Sequence, residues 1–260
     1  MTANLLIRIE PVVSGVSAVV LQRSEQRNAL SIELVGQLCD AIESLSQQPE
    51  QRVVIVRGDG PVFSSGLDLR EAMDDALIER SAAGVKRILG VLKDTPLVTI
   101  AAVQGGAYAG GAGLMVACDI VIAAEGTKIG FPEARRGLLP ALISDVLRHR
   151  VREGDLRYLL LTGDIVTADE ALRVGLVERV VPADRLLDEV QRVAALILAG
   201  GPETIRRTKQ LINSLYVESG DTSYASMEEV HLAARRSDEA REGLAAFREK
   251  REPWWKTTSK

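Results

Sequence analysis

The sequence predicts an α/β fold in which helices cover a sheet, and three observations predict it. Short apolar runs rich in Val and Ile recur along the chain and end at Gly or a polar residue. Between them lie segments whose apolar residues repeat at helical spacing. The order strand, turn, helix then repeats through roughly the first 150 residues. Taken in order, Leu5-Leu6-Ile7-Arg8-Ile9 and the run from Val16 to Leu21 read as paired strands around the turn Ser14-Gly15. Ser31 is placed to cap a helix carrying Leu34, Leu38, Ile42 and Leu45. The run from Arg52 to Arg57 stops at Gly58 and reads as a buried strand; Val98 to Val103 and Asp119 to Ala123 read likewise. Further on, Thr167 caps a helix through Ala171, and Gly175 to Pro182 reads as a last strand. From Ala183 onward only helix-like runs remain, broken at Gly200-Gly201-Pro202 and Gly220-Asp221. This tail reads as a helical appendage of the kind that builds oligomers, the alternative being a helical layer packed on its own domain.

Composition narrows the class of protein. The chain has 260 residues, enough for one large domain or a domain with an appendage. Aromatic residues make up only 3%, so the core must be built from Val, Leu, Ile and Ala. The net charge of −4 and the dispersed Lys and Arg residues give no footprint for nucleic acid. Cys39 and Cys118 lie in apolar contexts and read as buried free thiols of a reducing compartment. The first residues, Met1 to Pro11, alternate like a strand and show no leader-like apolar core. The stretch Leu97 to Val103 is far too short to span a bilayer. The expectation is a soluble, cytoplasmic protein with no membrane partner.

Two glycine-bearing turns carry the chemistry. The first is Phe63-Ser64-Ser65-Gly66-Leu67-Asp68; the second runs from Gly105 to Gly113 and includes Tyr108-Ala109-Gly110-Gly111. Each joins a strand-like run to a helix-like run, so each can aim free backbone N–H groups at one point, as an oxyanion site requires. Glu133, in Phe131-Pro132-Glu133, is a carboxylate able to move protons. There is no phosphate-cradling loop motif, and Gly111-Ala112-Gly113 lacks the rest of a dinucleotide fingerprint. Ser64 and Ser65 are not flanked as a nucleophile elbow, and His149 and His231 have no metal-ligand spacing. A hydrolytic triad and a metal site are therefore not expected. The bland alternatives are close helix–strand packing for the glycines, and a helix-start carboxylate for Glu133.

Together these segments resemble the enoyl-CoA hydratase/isomerase, or crotonase, family. The resemblance covers nearly the whole length. It includes Arg27-Asn28-Ala29-Leu30, the two glycine turns, Phe131-Pro132-Glu133 and Leu161-Thr162-Gly163-Asp164. It continues through Gly175-Leu176-Val177 and Glu242-Gly243 to the run from Phe247 to Arg251. It implies a spiral of stacked strand-strand-helix units over residues 1–195 and a helical region over 196–260 that builds trimers or dimers of trimers. It implies an acyl-CoA thioester as substrate, with CoA arriving as part of that substrate and no separate cofactor. By the same resemblance the N–H groups of Leu67 and Gly110 hold the thioester oxygen, and Glu133 is the general acid/base. The Ser65 carbonyl would meet the adenine of CoA and Arg27 its phosphates, while Lys250 and Phe247 would reach the CoA of a neighbouring subunit. The stretch from Met73 to Val85 would line the acyl pocket. For Arg27 and Lys250 the alternative is a solvated surface charge.

One position departs from the family pattern. Hydratases usually carry a second glutamate three residues after the oxyanion glycine, and here that residue is Gly113. Hydration of a 2-enoyl-CoA through Glu133 alone is the first expectation. The segment from Arg135 to Ala141, with the Gly-Leu after the glycine loop, resembles the branch of the family near the methylglutaconyl-CoA hydratases, which implies a branched substrate such as 3-methylglutaconyl-CoA. A shift of a double bond from position 3 to position 2 is the second. A decarboxylating or carbon–carbon bond-forming reaction is the third, in which Tyr108, Asp74, Asp75 and His231 could contribute; for His231 the alternative is a polar helix residue. A non-catalytic acyl-CoA-binding protein is the fourth.

Overall fold

The computed structural model describes residues 5–215 and 238–257. The chain divides after Gln191 into two compact units. The first contains two sheets. In the larger, β1 (Ile7–Val13) runs antiparallel to β2 (Val16–Leu21). From β2 the sheet continues in parallel through β3 (Val53–Gly58), β4 (Val98–Val103), β6 (Ile120–Ala124) and β9 (Arg179–Val181). The smaller sheet holds β5 (Gly106–Tyr108), β7 (Lys128–Gly130) and β8 (Ile165–Thr167). Parallel bridges between Leu30 and Leu67, and between Ser64 and Ala107, extend this second layer.

Each turn of chain therefore gives one strand to the large sheet, one short extended segment to the second layer, and then a helix. β2 leads through Leu30 to α1 (Ile32–Ser46), and β3 leads through Ser64–Leu67 to α2 (Leu69–Ala72) and α3 (Ile78–Asp94). β4 leads through β5 to α4 (Gly110–Ala117). β6 leads through β7 to α5 (Ala141–Leu147) and α6 (Glu153–Thr162), and β8 leads to α7 (Ala168–Val174). This is a spiral of strand-strand-helix turns.

The elements form where the sequence places their signals. Every residue of β2 and β4 is buried, which is why these strands read as continuous apolar runs rather than alternating ones. The Ser31 hydroxyl accepts from the Leu34 N–H at 3.2 Å and starts α1. Leu34, Leu38, Ile42 and Leu45 are all buried along one stripe of that helix, worth roughly 1.5–3 kcal/mol per side chain relative to exposure. α3 lies against α1, burying Val85, Ile88 and Leu92. Thr167 and Glu170 form a reciprocal capping box on α7. Both cysteines are free and buried, and loss of solvation pushes the Cys39 thiol up to about 11, so it stays protonated. Among the described residues no helix is long and apolar enough to cross a membrane.

Two expectations need correcting. β1 does not stop at Ile9 but runs to Val13, because an edge strand tolerates Pro11, and its register shifts between Pro11 and Val13. The last strand does not begin at Gly175. With φ of +90° this glycine ends α7, and the Leu176 N–H turns back to the Ala171 carbonyl, leaving only Arg179–Val181 extended. The short strands β5, β7 and β8 carry three residues each, too few to show a period in the sequence.

The second unit begins within α8 (Leu186–Leu198) and contains helices Pro202–Leu215, Asp238–Glu249 and Trp254–Thr257. Its helix at Pro202 is capped from far along the chain. The Glu239 carboxylate accepts from the N–H groups of Glu203 and Thr204 and from the Thr204 hydroxyl, each at 2.7 Å. The break at Gly200-Gly201-Pro202 is present, whereas Gly220-Asp221 lies outside the described residues.

A buried asparagine holds the loop that precedes α1. Asn28 has no solvent exposure and a φ of +52°. Its Oδ1 accepts from the Arg23 N–H at 3.0 Å, and its Nδ2 donates to the carbonyls of Asp59 at 2.8 Å and Val62 at 2.9 Å. Asn28→Ala leaves three backbone groups without partners, and the expected loss of stability is on the order of 3–5 kcal/mol by denaturant unfolding. A loss below about 1 kcal/mol would mean that water or a backbone shift replaces those bonds.

Candidate active site

The two glycine turns are adjacent rungs of the second layer. The Phe63 N–H donates to the Gln104 carbonyl at 3.0 Å, and the Tyr108 N–H donates to the Ser64 carbonyl at 3.0 Å. Gly66 has a φ of +97°, a conformation that L side chains avoid. A β-carbon there would lie 2.8 Å from the Tyr108 carbonyl oxygen and 3.4 Å from the Gly110 nitrogen, so the turns touch where the donors lie. Gly111 is also constrained, since a β-carbon would meet the Ser64 carbonyl at 2.6 Å.

Among the described residues neither expected donor finds an acceptor. The bridge between Leu30 and Leu67 consumes the N–H groups on either side: Leu30 donates to the Gly66 carbonyl at 2.8 Å, and Asp68 donates to the Leu30 carbonyl at 3.2 Å. Among the described residues the Leu67 N–H itself donates to no acceptor. Gly110 is the first residue of α4, so its N–H has no carbonyl one turn earlier in the helix. Ala109 precedes it with φ +48° and ψ −124°, a strained conformation for a residue with a side chain. Two bonds hold it there: its N–H donates to the Gly130 carbonyl, and its carbonyl accepts from Gly113, each at 2.9 Å. Strain of this kind costs about 1–3 kcal/mol and persists only where its surroundings fix it.

Glu133 follows β7 by three residues, and β7 is the strand that pairs with β5. Its side chain is 7% exposed, and among the described residues its Oε2 is buried without a hydrogen-bond partner. Glu133 stands at the start of the short 3-10 turn Ala134–Arg136, as the helix-start alternative has it, but its side chain makes no cap bond there. Burial pushes its carboxyl above the ordinary glutamate range; its own backbone N–H and the Arg136 guanidinium offset this only in part. A group whose acid is easier to keep in the folded protein than in the unfolded chain stabilises the fold only while it is protonated. Wild-type protein is therefore expected to lose stability, relative to Glu133→Gln, as pH rises from about 4.5 through the raised folded value. Melting temperatures of both proteins across that range test this; parallel curves would contradict the burial of the carboxyl.

The nucleotide-side candidates separate into two groups. The Ser65 N–H donates to the Arg27 carbonyl at 2.9 Å, which joins these two in one loop. Arg27 is exposed with φ +52°, and the Ser65 carbonyl accepts no bond among the described residues. The loop is braced from behind by Arg23, which donates to the Ala29 carbonyl at 2.6 Å and to the Asp68 carboxylate at 2.9 Å. Burial tends to raise the Asp68 carboxyl, but Arg23 and the Arg70 N–H outweigh it and hold the group below its usual value. Lys250 and Phe247 belong to the second unit. Lys250 is exposed with φ +54°, whereas the side chain of Phe247 and all of His231 lie outside the described residues. Asp74 and Asp75 are exposed. Among the described residues no cluster of His, Cys, Asp or Glu could hold a metal ion.

One contact behind the second turn is not marked in the sequence. A β-carbon on Gly113 would lie 2.9 Å from Ile143 Cγ1 and 3.2 Å from its Cδ1. Ile143 is buried on α5, which packs against α4. Nothing local identifies it, since the contact joins helices about thirty residues apart.

Comparison with known proteins agrees with this architecture. The family model for enoyl-CoA hydratase/isomerase matches residues 12–258. An enoyl-CoA isomerase/hydratase of Mycosarcoma maydis is 32% identical over 97% of this chain and 98% of its own length. The mitochondrial enoyl-CoA hydratase domain-containing protein 3 of Danio rerio is 31% identical, covering 94% of this chain and 86% of its own. The crystal structure of an enoyl-CoA hydratase from Bacillus anthracis superposes with a TM-score of 0.90 at 30% identity, over 96% of this chain and 98% of that one.

Proposed function

Because the chain belongs to the enoyl-CoA hydratase/isomerase family and has the crotonase fold, we propose that it binds an acyl-CoA thioester and moves a proton on the acyl chain with a single carboxylate, shifting a 3,4 double bond to the 2,3 position. The observation that carries this reading is the Glu133 Oε2, buried and without a partner among the described residues. In this reading the Leu67 and Gly110 N–H groups receive the thioester oxygen. They stabilise the negative charge that develops there, and removal of one such donor typically costs about 10²–10³ in rate. Gly110 adds the positive end of the α4 dipole. The Glu133 carboxylate takes a proton from C2 and becomes the acid. The electron pair spreads through the dienolate onto the held oxygen. Glu133 then gives the proton to C4, the double bond forms between C2 and C3, and the carboxylate is restored. No metal or redox group enters these steps.

Arg27 and the Ser65 carbonyl are assigned to the nucleotide end of CoA, and Lys250 and Phe247 to the CoA bound by a neighbouring subunit. The helical region over 196–260 is assigned to the contacts of a trimer or dimer of trimers.

Hydration is the second reading; the name of the Danio rerio relative favours it, while the Mycosarcoma maydis relative is named for both reactions. It asks for a water held on one carbon while a proton reaches the other. The aliphatic group of Ile143 against Gly113 offers that water no partner, which weighs towards isomerisation. Purified protein given a 3-enoyl-CoA is expected to form the conjugated 2-enoyl-CoA, and given crotonyl-CoA to hydrate it far more slowly. Fast hydration of crotonyl-CoA without conversion of the 3-enoyl thioester would overturn the first reading in favour of the second. Acyl-CoA binding without turnover of any thioester would overturn both.

A further inference from the structure

The α4 helix presents positions 110 and 113 on one face, three residues apart. A side chain at 113 would lean toward the helix N-terminus and cover the turn that opens at Gly110. Glycine leaves that space to another residue, and Ile143 fills it. The three nearest atoms to a β-carbon built at 113 all belong to Ile143: Cγ1 at 2.9 Å, Cδ1 at 3.2 Å and Cγ2 at 3.5 Å. Ile143 is 6% exposed and belongs to the main apolar core, so it is held from behind. Its β-branched side chain has few rotamers, and helical backbone restricts it further. The segment that delivers it is also tied, because the Ser144 hydroxyl and N–H both donate to the Pro140 carbonyl.

We propose that Ile143 is a specificity-determining residue of this site: its side chain takes the volume beside Gly113 that a polar side chain at 113 would occupy, excludes water there, and so commits Glu133 to carrying a proton between two carbons of the bound thioester. This rests on the proton-transfer reading above. The pair Gly113 and Ile143 acts as one unit. A larger residue at 113 requires a smaller one at 143, and opening position 143 admits water.

Four proteins test it: wild type, Ile143→Ala, Gly113→Glu and the pair Gly113→Glu with Ile143→Ala. Each is given a 3-enoyl-CoA and crotonyl-CoA, and the melting temperature is recorded. Ile143→Ala is expected to raise the ratio of hydration to isomerisation at least tenfold. Gly113→Glu alone is expected to lower the melting temperature through the clash with Ile143, and the pair to recover much of that loss and hydrate faster than wild type. In an isomerising wild type, a folded Ile143→Ala protein whose ratio stays within twofold overturns the inference and leaves the isomerase reading standing. A wild type that hydrates but does not isomerise overturns that reading instead. In that case the inference falls with the reading, because water then reaches the space that Ile143 is proposed to close. If Ile143→Ala does not fold, Ile143→Val supplies the same comparison with one methyl group removed and a smaller expected change.

Discussion

Glu133→Gln is expected to leave the fold intact and reduce turnover of the preferred acyl-CoA by about 10²–10⁴-fold, the range for loss of a positioned acid/base. Glutamine keeps the volume and fills a site 7% exposed, but it neither accepts nor returns a proton. In the proposed function Leu67 and Gly110 hold the thioester, so the effect is expected to fall on kcat, with KM changed little. The same substitution removes a carboxyl that burial holds above its ordinary range, so the variant is expected to be more stable than wild type at neutral pH. Lower activity with higher stability from one change is the signature of a group kept for chemistry at a cost to the fold. Full turnover in the folded variant would remove Glu133 from the mechanism.

Gly66→Ala is expected to be nearly as damaging by a different route. Alanine at φ +97° costs on the order of 1–2 kcal/mol for the left-handed conformation alone. Its β-carbon would also press on the Tyr108 carbonyl at 2.8 Å and on Ala109 Cβ at 3.1 Å. The chain must shift at the residue next to Leu67 and beside the Gly110 nitrogen, so both donors lose their aim. A fall in kcat of about 10²–10³-fold is expected, together with a lower melting temperature. Circular dichroism separates the two losses. A folded variant with activity within tenfold of wild type would mean that these N–H groups do not hold the reacting oxygen.

Much of this was legible in the sequence, for local reasons. The α1 stripe of Leu34, Leu38, Ile42 and Leu45, the Ser31 and Thr167 caps, and the buried parallel strands each depend on residues close together in the chain. The two glycine turns could be read because positive φ and close backbone approach leave glycine as the residue that fits. The short strands of the second layer could not be read, since three residues show no period and their pairing is set by neighbours far along the chain. Nor could the strain at Ala109, where a residue with a side chain takes a conformation that only its bonds to Gly130 and Gly113 explain.

By itself the sequence determined the order of strands, turns and helices, the identity of the two turns and the carboxylate, and the absence of a second glutamate at Gly113. Only the tertiary structure shows what surrounds that position. Whether the Glu133 carboxylate is solvated or has one oxygen buried without a partner among the described residues depends on what packs over it. Whether Gly113 opens a space for water or a place for a hydrocarbon depends on Ile143, thirty residues away on another helix. Spacing along a chain fixes local conformation. Solvation of a carboxyl group and occupancy of a gap are set by atoms from distant segments, and the proposed function rests on these two quantities.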